Sequence, residues 1–258
     1  MNGESRKYWS LQGTVDLFDR VNGMPQKGMW LGDCSSIEFN AEPQKEDFKE
    51  SWSGSRTVGF TMFQGNEASL AITLHQMTSK TMELIFGGDL VAQDTDAIVD
   101  LQISGATPEV GDVCLLRHYD VTALTIEDST PTTPKELTLN TNYRVDAKTG
   151  RVEILDLTTG GPFVGPLKAS FTPGAVSYVK MLTNTEREKW VTISGRNTAV
   201  TGQPRMAFDF YTAKLLPSSF QFINESRGEA VLNCTIVGDP TKTADGDLGI
   251  FGRAVMLD

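Results

Sequence analysis

The stretch Trp9-Ser10-Leu11-Gln12-Gly13-Thr14-Val15-Asp16-Leu17-Phe18-Asp19 decides the fold class. Trp9, Leu11, Val15 and Leu17 fall on one side of a period of two, against Ser10, Gln12, Thr14 and Asp16 on the other. That alternation is the mark of a half-buried strand. Asn22-Gly23 and Pro25 follow as a turn signal. The pattern then repeats along the chain. Strands are expected at Ser35 to Phe39, Thr57 to Phe63, Leu70 to Leu74, Ile98 to Ile103, Val113 to Arg117, Val121 to Ile126, Leu137 to Leu139, Tyr143 to Asp146 and Val152 to Leu155. The last third adds Ala175 to Leu182, Glu188 to Thr192, Met206 to Leu215, Glu229 to Val237 and Ile250 to Leu257. Asp146-Ala147-Lys148-Thr149-Gly150 is a hairpin turn, with Gly150 at positive φ. One helix is expected after Thr78 or Ser79, with Met82, Ile85 and Phe86 on one stripe and Gly87-Gly88 ending it. The class is all-β, a sandwich or barrel with one short helix and long loops.

The chain has 258 residues, 33 of them acidic and 23 basic, for a net charge of −10. At 39% hydrophobic it has material for a core, and disorder is excluded as the general state. No run of 18 apolar residues occurs, so no membrane-spanning helix is expected. The start, Met1 to Lys7, has no apolar region behind its charges, and no secretory signal is expected. Cys34, Cys114 and Cys234 are widely spaced and odd in number. They read as small core residues of a protein folded in a reducing compartment. Acidity disfavours binding to a phosphate backbone, and non-specific DNA binding is not expected.

Charge is unevenly spread. Between Glu83 and Asp128 ten acids face one base, Arg117, so the window carries −9. Between Gly160 and Phe208 the balance reverses. Acidic and basic parts of this kind can pair between copies, or can simply be a mixed solvated surface. From Asn40 to Ser55 the chain is charged and poor in apolar residues. It is expected to form an exposed loop of about 15 residues, long enough to need a function or to be disordered.

No catalytic constellation stands out, and no cofactor or metal is expected. His75 and His118 lack metal-ligand spacing and read as structural. No GxSxG elbow or phosphate loop is present. Asp239, Asp245 and Asp247 lie near Gly246 and Gly249, but their spacing fails the calcium-loop pattern, and an Asx turn is the better reading. Phe208, Phe210, Tyr211, Phe220 and Phe222 come close together; Phe208 with Phe210 and Phe220 with Phe222 keep a period of two and read mainly as core, with a sugar- or base-stacking platform as the alternative.

Four patterns, taken in order, resemble a tail tube protein (major tail protein) of long-tailed, siphovirus-type bacteriophages. They are Gly32-Asp33-Cys34-Ser35-Ser36-Ile37-Glu38-Phe39 with the charged loop ending Glu50-Ser51-Trp52-Ser53-Gly54; the strand and capped helix of Leu70 to Gly88; the hairpin Asn142 to Val152; and the end, from Asp209-Phe210-Tyr211-Thr212-Ala213-Lys214 through Leu216-Pro217 to Glu229-Ala230-Val231-Leu232. The resemblance implies a single domain over 1–258 with a surface elaboration around 121–172. It implies a structural role without chemistry: rings, six subunits each, stack into a hollow tube that conducts DNA without specific binding. The partners implied are the chain itself and the tape-measure, tail-tip and tail-terminator proteins. The implied place is the virion tail, assembled in the host bacterial cytoplasm, with no membrane.

On that reading the loop residues Glu42, Lys45, Glu46, Asp47, Lys49, Glu50 and Trp52 dock on a neighbouring subunit or ring. Asp94, Asp96, Asp100, Glu109 and Asp112 are candidates to line the lumen, where like charge repels passing DNA. The rival reading sets these acids against basic contacts of a neighbour, Lys180, Arg187, Lys189 and Arg196. The alternatives to a phage tube are a sugar- or receptor-binding β-sandwich of a virion, the tube of a contractile secretion system, and, least supported, a hydrolase on a β scaffold.

Overall fold

A computed structural model describes residues 8–216, 220, 222–223, 228–243, 246 and 249–257. Among them the chain forms sixteen strands and one helix. In order these are β1 (Leu11–Val21), β2 (Met24–Trp30), β3 (Cys34–Lys49), β4 (Val58–Leu74), α1 (Ser79–Ile85), β5 (Asp89–Ala92), β6 (Ile98–Gln102), β7 (Val113–Leu115), β8 (Thr122–Glu127), β9 (Tyr143–Asp146), β10 (Arg151–Ile154), β11 (Lys168–Thr172), β12 (Ser177–Lys180), β13 (Arg187–Asn197), β14 (Arg205–Leu216), β15 (Ala230–Ile236) and β16 (Gly252–Leu257). The fold is all-β with a single short helix, and that helix is neither long nor apolar enough to cross a membrane.

The chain divides into two compact units. Unit 1 holds residues 1–89 and 179–258, and unit 2 holds 90–178. The inserted unit is wider than the 121–172 elaboration expected from the sequence. The chain leaves unit 1 in β5 and returns in β12, and these two strands pair.

Unit 1 is an eight-stranded sheet in the order β2-β1-β13-β14-β15-β4-β3, with β16 also on β14. The sheet forks at β14. Arg205 to Phe210 pair with β16, while Ala213 to Leu216 pair with β15. The sheet on the two sides of β14 turns its apolar faces to one core. Val15, Leu17, Val191 and Ile193 come from β1 and β13 on one side, and Leu70, Ile72, Leu74 and Leu232 from β4 and β15 on the other. Leu70, Ile72 and Leu74 are the alternate residues of β4 and are fully buried. Each such side chain contributes roughly 1.5–3 kcal/mol of burial.

Asn22 and Gly23, both at positive φ, make the two-residue turn between β1 and β2. Thr78 caps α1: its hydroxyl accepts from Thr81 N at 3.2 Å while Thr78 N donates to Thr81 Oγ1 at 2.7 Å. Gly87, at φ +53, ends it. The buried stripe of α1 is Thr81, Leu84 and Ile85, and Met82, expected on that stripe, is exposed. A helix of seven residues has room for one buried stripe only, and the sheet chooses which.

Unit 2 has two three-stranded sheets, β7-β10-β9 and β6-β11-β8, around its own core of Leu116, Ile126, Val152, Ile154, Leu167 and Ala169. Gly150, at φ +67, closes the β9–β10 hairpin as the sequence indicates. Strand β11 lacks any sequence signal strong enough to stand beside the Gly- and Pro-rich residues before it.

Candidate functional site

The feature of unit 1 that is not explained by its own core is the end of the β3–β4 hairpin. Strand β15 pairs with β4 only from Ala68 to Leu74. Beyond that, the ladder of β3 on β4 continues from Glu42↔Glu67 to Lys49↔Val58 with no third strand among the described residues. This two-stranded arm stands where a loop from Asn40 to Ser55 was expected. The correction has a physical reason. Both faces of the arm meet solvent, so β3 from Asn40 onward carries no apolar alternation, and period-two reading finds only the β4 side, from Thr57 to Phe63. Pro43 also argues against a strand, but β3 is an edge strand, where a missing N–H is tolerated.

The arm holds its shape through cross-strand pairs. The rings of Phe48 and Phe60 lie 6.1 Å apart. The Thr61 hydroxyl donates to Asp47 Oδ1 at 2.6 Å, and Gln64 Nε2 donates to Glu46 Oε2 at 2.6 Å. A bulge between Gln44 and Lys45 places Gly65 at φ +135, a conformation that disfavours any side chain. At the tip, Glu50 organises the turn. Its carboxylate accepts from Trp52 N at 3.0 Å, from Ser53 N at 2.8 Å, from the Thr57 hydroxyl at 3.2 Å and from the Ser53 hydroxyl. The bonds from Ser53, then those from Trp52 and Thr57, lower its pKa to about 2.

All seven residues expected at a subunit contact, Glu42, Lys45, Glu46, Asp47, Lys49, Glu50 and Trp52, lie on this arm. Trp52 is 85% exposed at its tip. Sequence reasoning missed the apolar partners that share the arm. Val58, Phe60 and Met62 are alternate residues of β4, and Phe48 lies across from Phe60. All four are exposed. Their alternation is visible in the sequence, but alternation alone cannot tell a core-facing row from an unburied one.

The candidate lining acids fall elsewhere. Asp94 and Asp96 lie in the loop before β6, Asp100 on β6, and Glu109 and Asp112 in the turn before β7. All five are exposed and belong to unit 2, and none is on the eight-stranded sheet. The basic residues divide. Arg187 donates to Glu83 Oε1 at 2.9 Å, to Asp89 Oδ1 at 2.8 Å and to the Gly88 carbonyl. Lys189 pairs with Asp19. Both therefore neutralise acids within unit 1. Lys180 and Arg196 remain exposed. Arg196 lies directly across from Arg205, a like-charge pair that is unfavourable without a counter-ion.

Asp239 is fully buried, with Arg20 and Lys242 on its carboxylate and Thr241 donating through N and hydroxyl. This makes it an Asx turn tied into an ion cluster. Asp245 and Asp247 lie outside the described residues. Among the described residues no group of His, Cys, Asp and Glu is arranged to hold a metal ion. His118 Nδ1 meets the Leu116 carbonyl at 3.0 Å, and His75 Nε2 lies 3.7 Å from Glu229. The three cysteines are free thiols, and burial raises the pKa of Cys34 to about 11 and of Cys234 to about 12. Of the aromatic group, Tyr211 is buried beneath Lys242 and against Trp190. Phe220 meets Phe86 edge-on, Phe222 stacks on Phe86, and Phe222 is 72% exposed.

A sheet architecture with an arm of this kind, and without a reactive cluster among the described residues, is the setting for comparison with known proteins. The chain belongs to the family described as protein of unknown function UCP028589. The match covers residues 8–255, so it includes both units and the arm. No curated protein matches the chain.

Proposed function

We propose that this chain is a structural subunit of a phage tail tube, which assembles with copies of itself into rings that stack. The observation that carries the reading is the arm. A lone two-stranded ribbon is marginally stable in water, and this one also exposes Trp52, Phe48, Phe60 and Met62. Such a ribbon gains most when a neighbour covers it.

Two further features support the reading. The sheet of unit 1 ends in the edge strands β2 and β3, each with one side unpaired among the described residues, and closing edges between subunits removes a standing liability. Arg196 and Arg205, which have no acidic partner among the described residues, are suited to meet acids of another copy. The role needs no chemistry and no cofactor. The partners proposed are the chain itself and the tape-measure, tail-tip and tail-terminator proteins, with DNA passing through the lumen. The place proposed is the virion tail. Lining by Asp94, Asp96, Asp100, Glu109 and Asp112 belongs to the same proposal.

Negative-stain electron microscopy at rising concentration tests it. Rings or hollow tubes of uniform width are expected. A protein that stays monomeric even beside tail-tip and tape-measure partners would sink the reading. One observation favours a second reading, a sugar- or receptor-binding module: the exposed ring of Phe222 stacked on Phe86. Glycan binding that is lost in Phe222→Ser with the fold intact would favour it.

A further inference from the structure

The core of unit 1 is not filled at one end. An open groove of about 1150 Å3 runs along the apolar faces of the sheet, lined by Leu11, Phe39, Ala41, Ala68, Phe208 and Phe210 among others. Protein interiors rarely leave voids much larger than a water molecule. The groove also exceeds the ~300–1,000 Å3 usual for a small-molecule site. Its open side suits a segment of polypeptide better than a compact ligand.

The same chain carries an uncovered apolar segment. Phe48, Trp52, Val58, Phe60 and Met62, at and near the tip of the arm, are 43%, 85%, 51%, 61% and 40% exposed. With ~150–250 Å2 per aromatic side chain, they present roughly 500 Å2 of apolar surface. A standard interface needs ~800 Å2 from each partner, and the polar flanks of the ribbon supply the remainder.

The arm cannot fill its own groove. Ala68 is part of the groove wall, and the ladder holds Met62, Phe60 and Val58 six, eight and ten residues further along β4. At ~3.3 Å per residue that is roughly 20 to 33 Å. The first seven residues, Met1 to Lys7, are too polar to be a matching occupant.

We propose that the apolar tip of the arm of one copy docks in the groove of a second copy. The contact is head-to-tail. Every copy both gives an arm and receives one, so the assembly closes into a ring or grows as a filament. The proposal rests on the tube reading and names the surface that receives the arm.

The test uses the full chain in two variants. Trp52→Ser with Phe60→Ser removes the apolar tip at two exposed positions. Ala41→Trp fills the groove from an exposed wall position, and Asn66→Trp fills it from the facing strand should the first not fold. Circular dichroism and melting establish that each variant is folded. Sedimentation then measures association of wild type, of each variant and of an equimolar mixture.

Wild type is expected to associate, and each variant alone to do so at least tenfold more weakly. The mixture is expected to form dimers and nothing larger, because one intact arm meets one intact groove. If both variants associate like wild type, groove docking is overturned and the tube reading stands. If wild type stays monomeric at every concentration and beside tail-tip partners, the tube reading itself fails, and docking with it. An apolar small molecule that copurifies with wild type in native mass spectrometry, and is lost from Ala41→Trp, would also overturn docking.

Discussion

Single carboxylates hold several of the connections in this protein. Asp128, in unit 2, is almost fully buried and accepts from Lys135 N at 2.7 Å and Val164 N at 3.0 Å. Burial pushes its carboxyl up, but the Lys135, Val164 and Thr130 amides and the Thr130 hydroxyl outweigh it and hold the pKa at about 2. The unfolded value is ~3.9. Its contribution is therefore complete above about pH 4 and is lost as pH falls toward 2. Denaturant titration is expected to show wild type losing stability across that window, and Asp128→Asn losing less of it. Asp239 is held below the ordinary carboxylate range too: burial raises it, and Lys242, Thr241 and Arg20 lower it further. Asp239→Ala leaves the largely buried Lys242 without its carboxylate and Arg20 with Glu188 alone, at 3.5 Å, and should cost about 3–5 kcal/mol by chemical denaturation. The Asx turn itself is legible in the sequence. Its ion partner Arg20 is not, because the two residues are 219 positions apart.

At the scale of elements, the helix and the arm make opposite predictions. Thr78→Ala removes the cap of α1 and should lower stability by about 1 kcal/mol, read from the melting midpoint. Glu50→Ala releases the turn at the tip of the arm, far from any core. The melting midpoint should stay where it is, while amide exchange at Trp52 and Ser53 speeds up and self-association weakens. An unchanged exchange rate would remove Glu50 from its organising role. The helix boundaries are readable from sequence because capping is local: Thr78, Thr81 and Gly87 lie within ten residues. The β3 side of the arm is not readable, because there an exposed ribbon is written in the same polar residues as a loop, while the β4 side shows its alternation from Thr57 to Phe63. The seven residues expected at a contact all lie along this arm, since charge density marks exposure whatever the backbone does.

The whole molecule is two cores on one chain. Ile72 and Ile126 are both fully buried, one in each core. Calorimetry is expected to resolve two transitions. Ile72→Ala should lower one and Ile126→Ala the other, each by about 2–5 kcal/mol. A single transition shifted equally by both substitutions would mean that the units unfold as one. By itself the sequence determined the all-β class, most strand positions, the turns at Asn22-Gly23 and Gly150 and the one helix. Each of these depends on residues within a few positions of one another, through strand alternation, positive φ or capping. Only the tertiary structure decided the fork at β14, the division at residues 90 and 178, the arm, and the pairing of Arg187 and Lys189 inside their own unit. Those depend on which distant strands meet: Lys189 reaches Asp19 across 170 positions, and no local period encodes that.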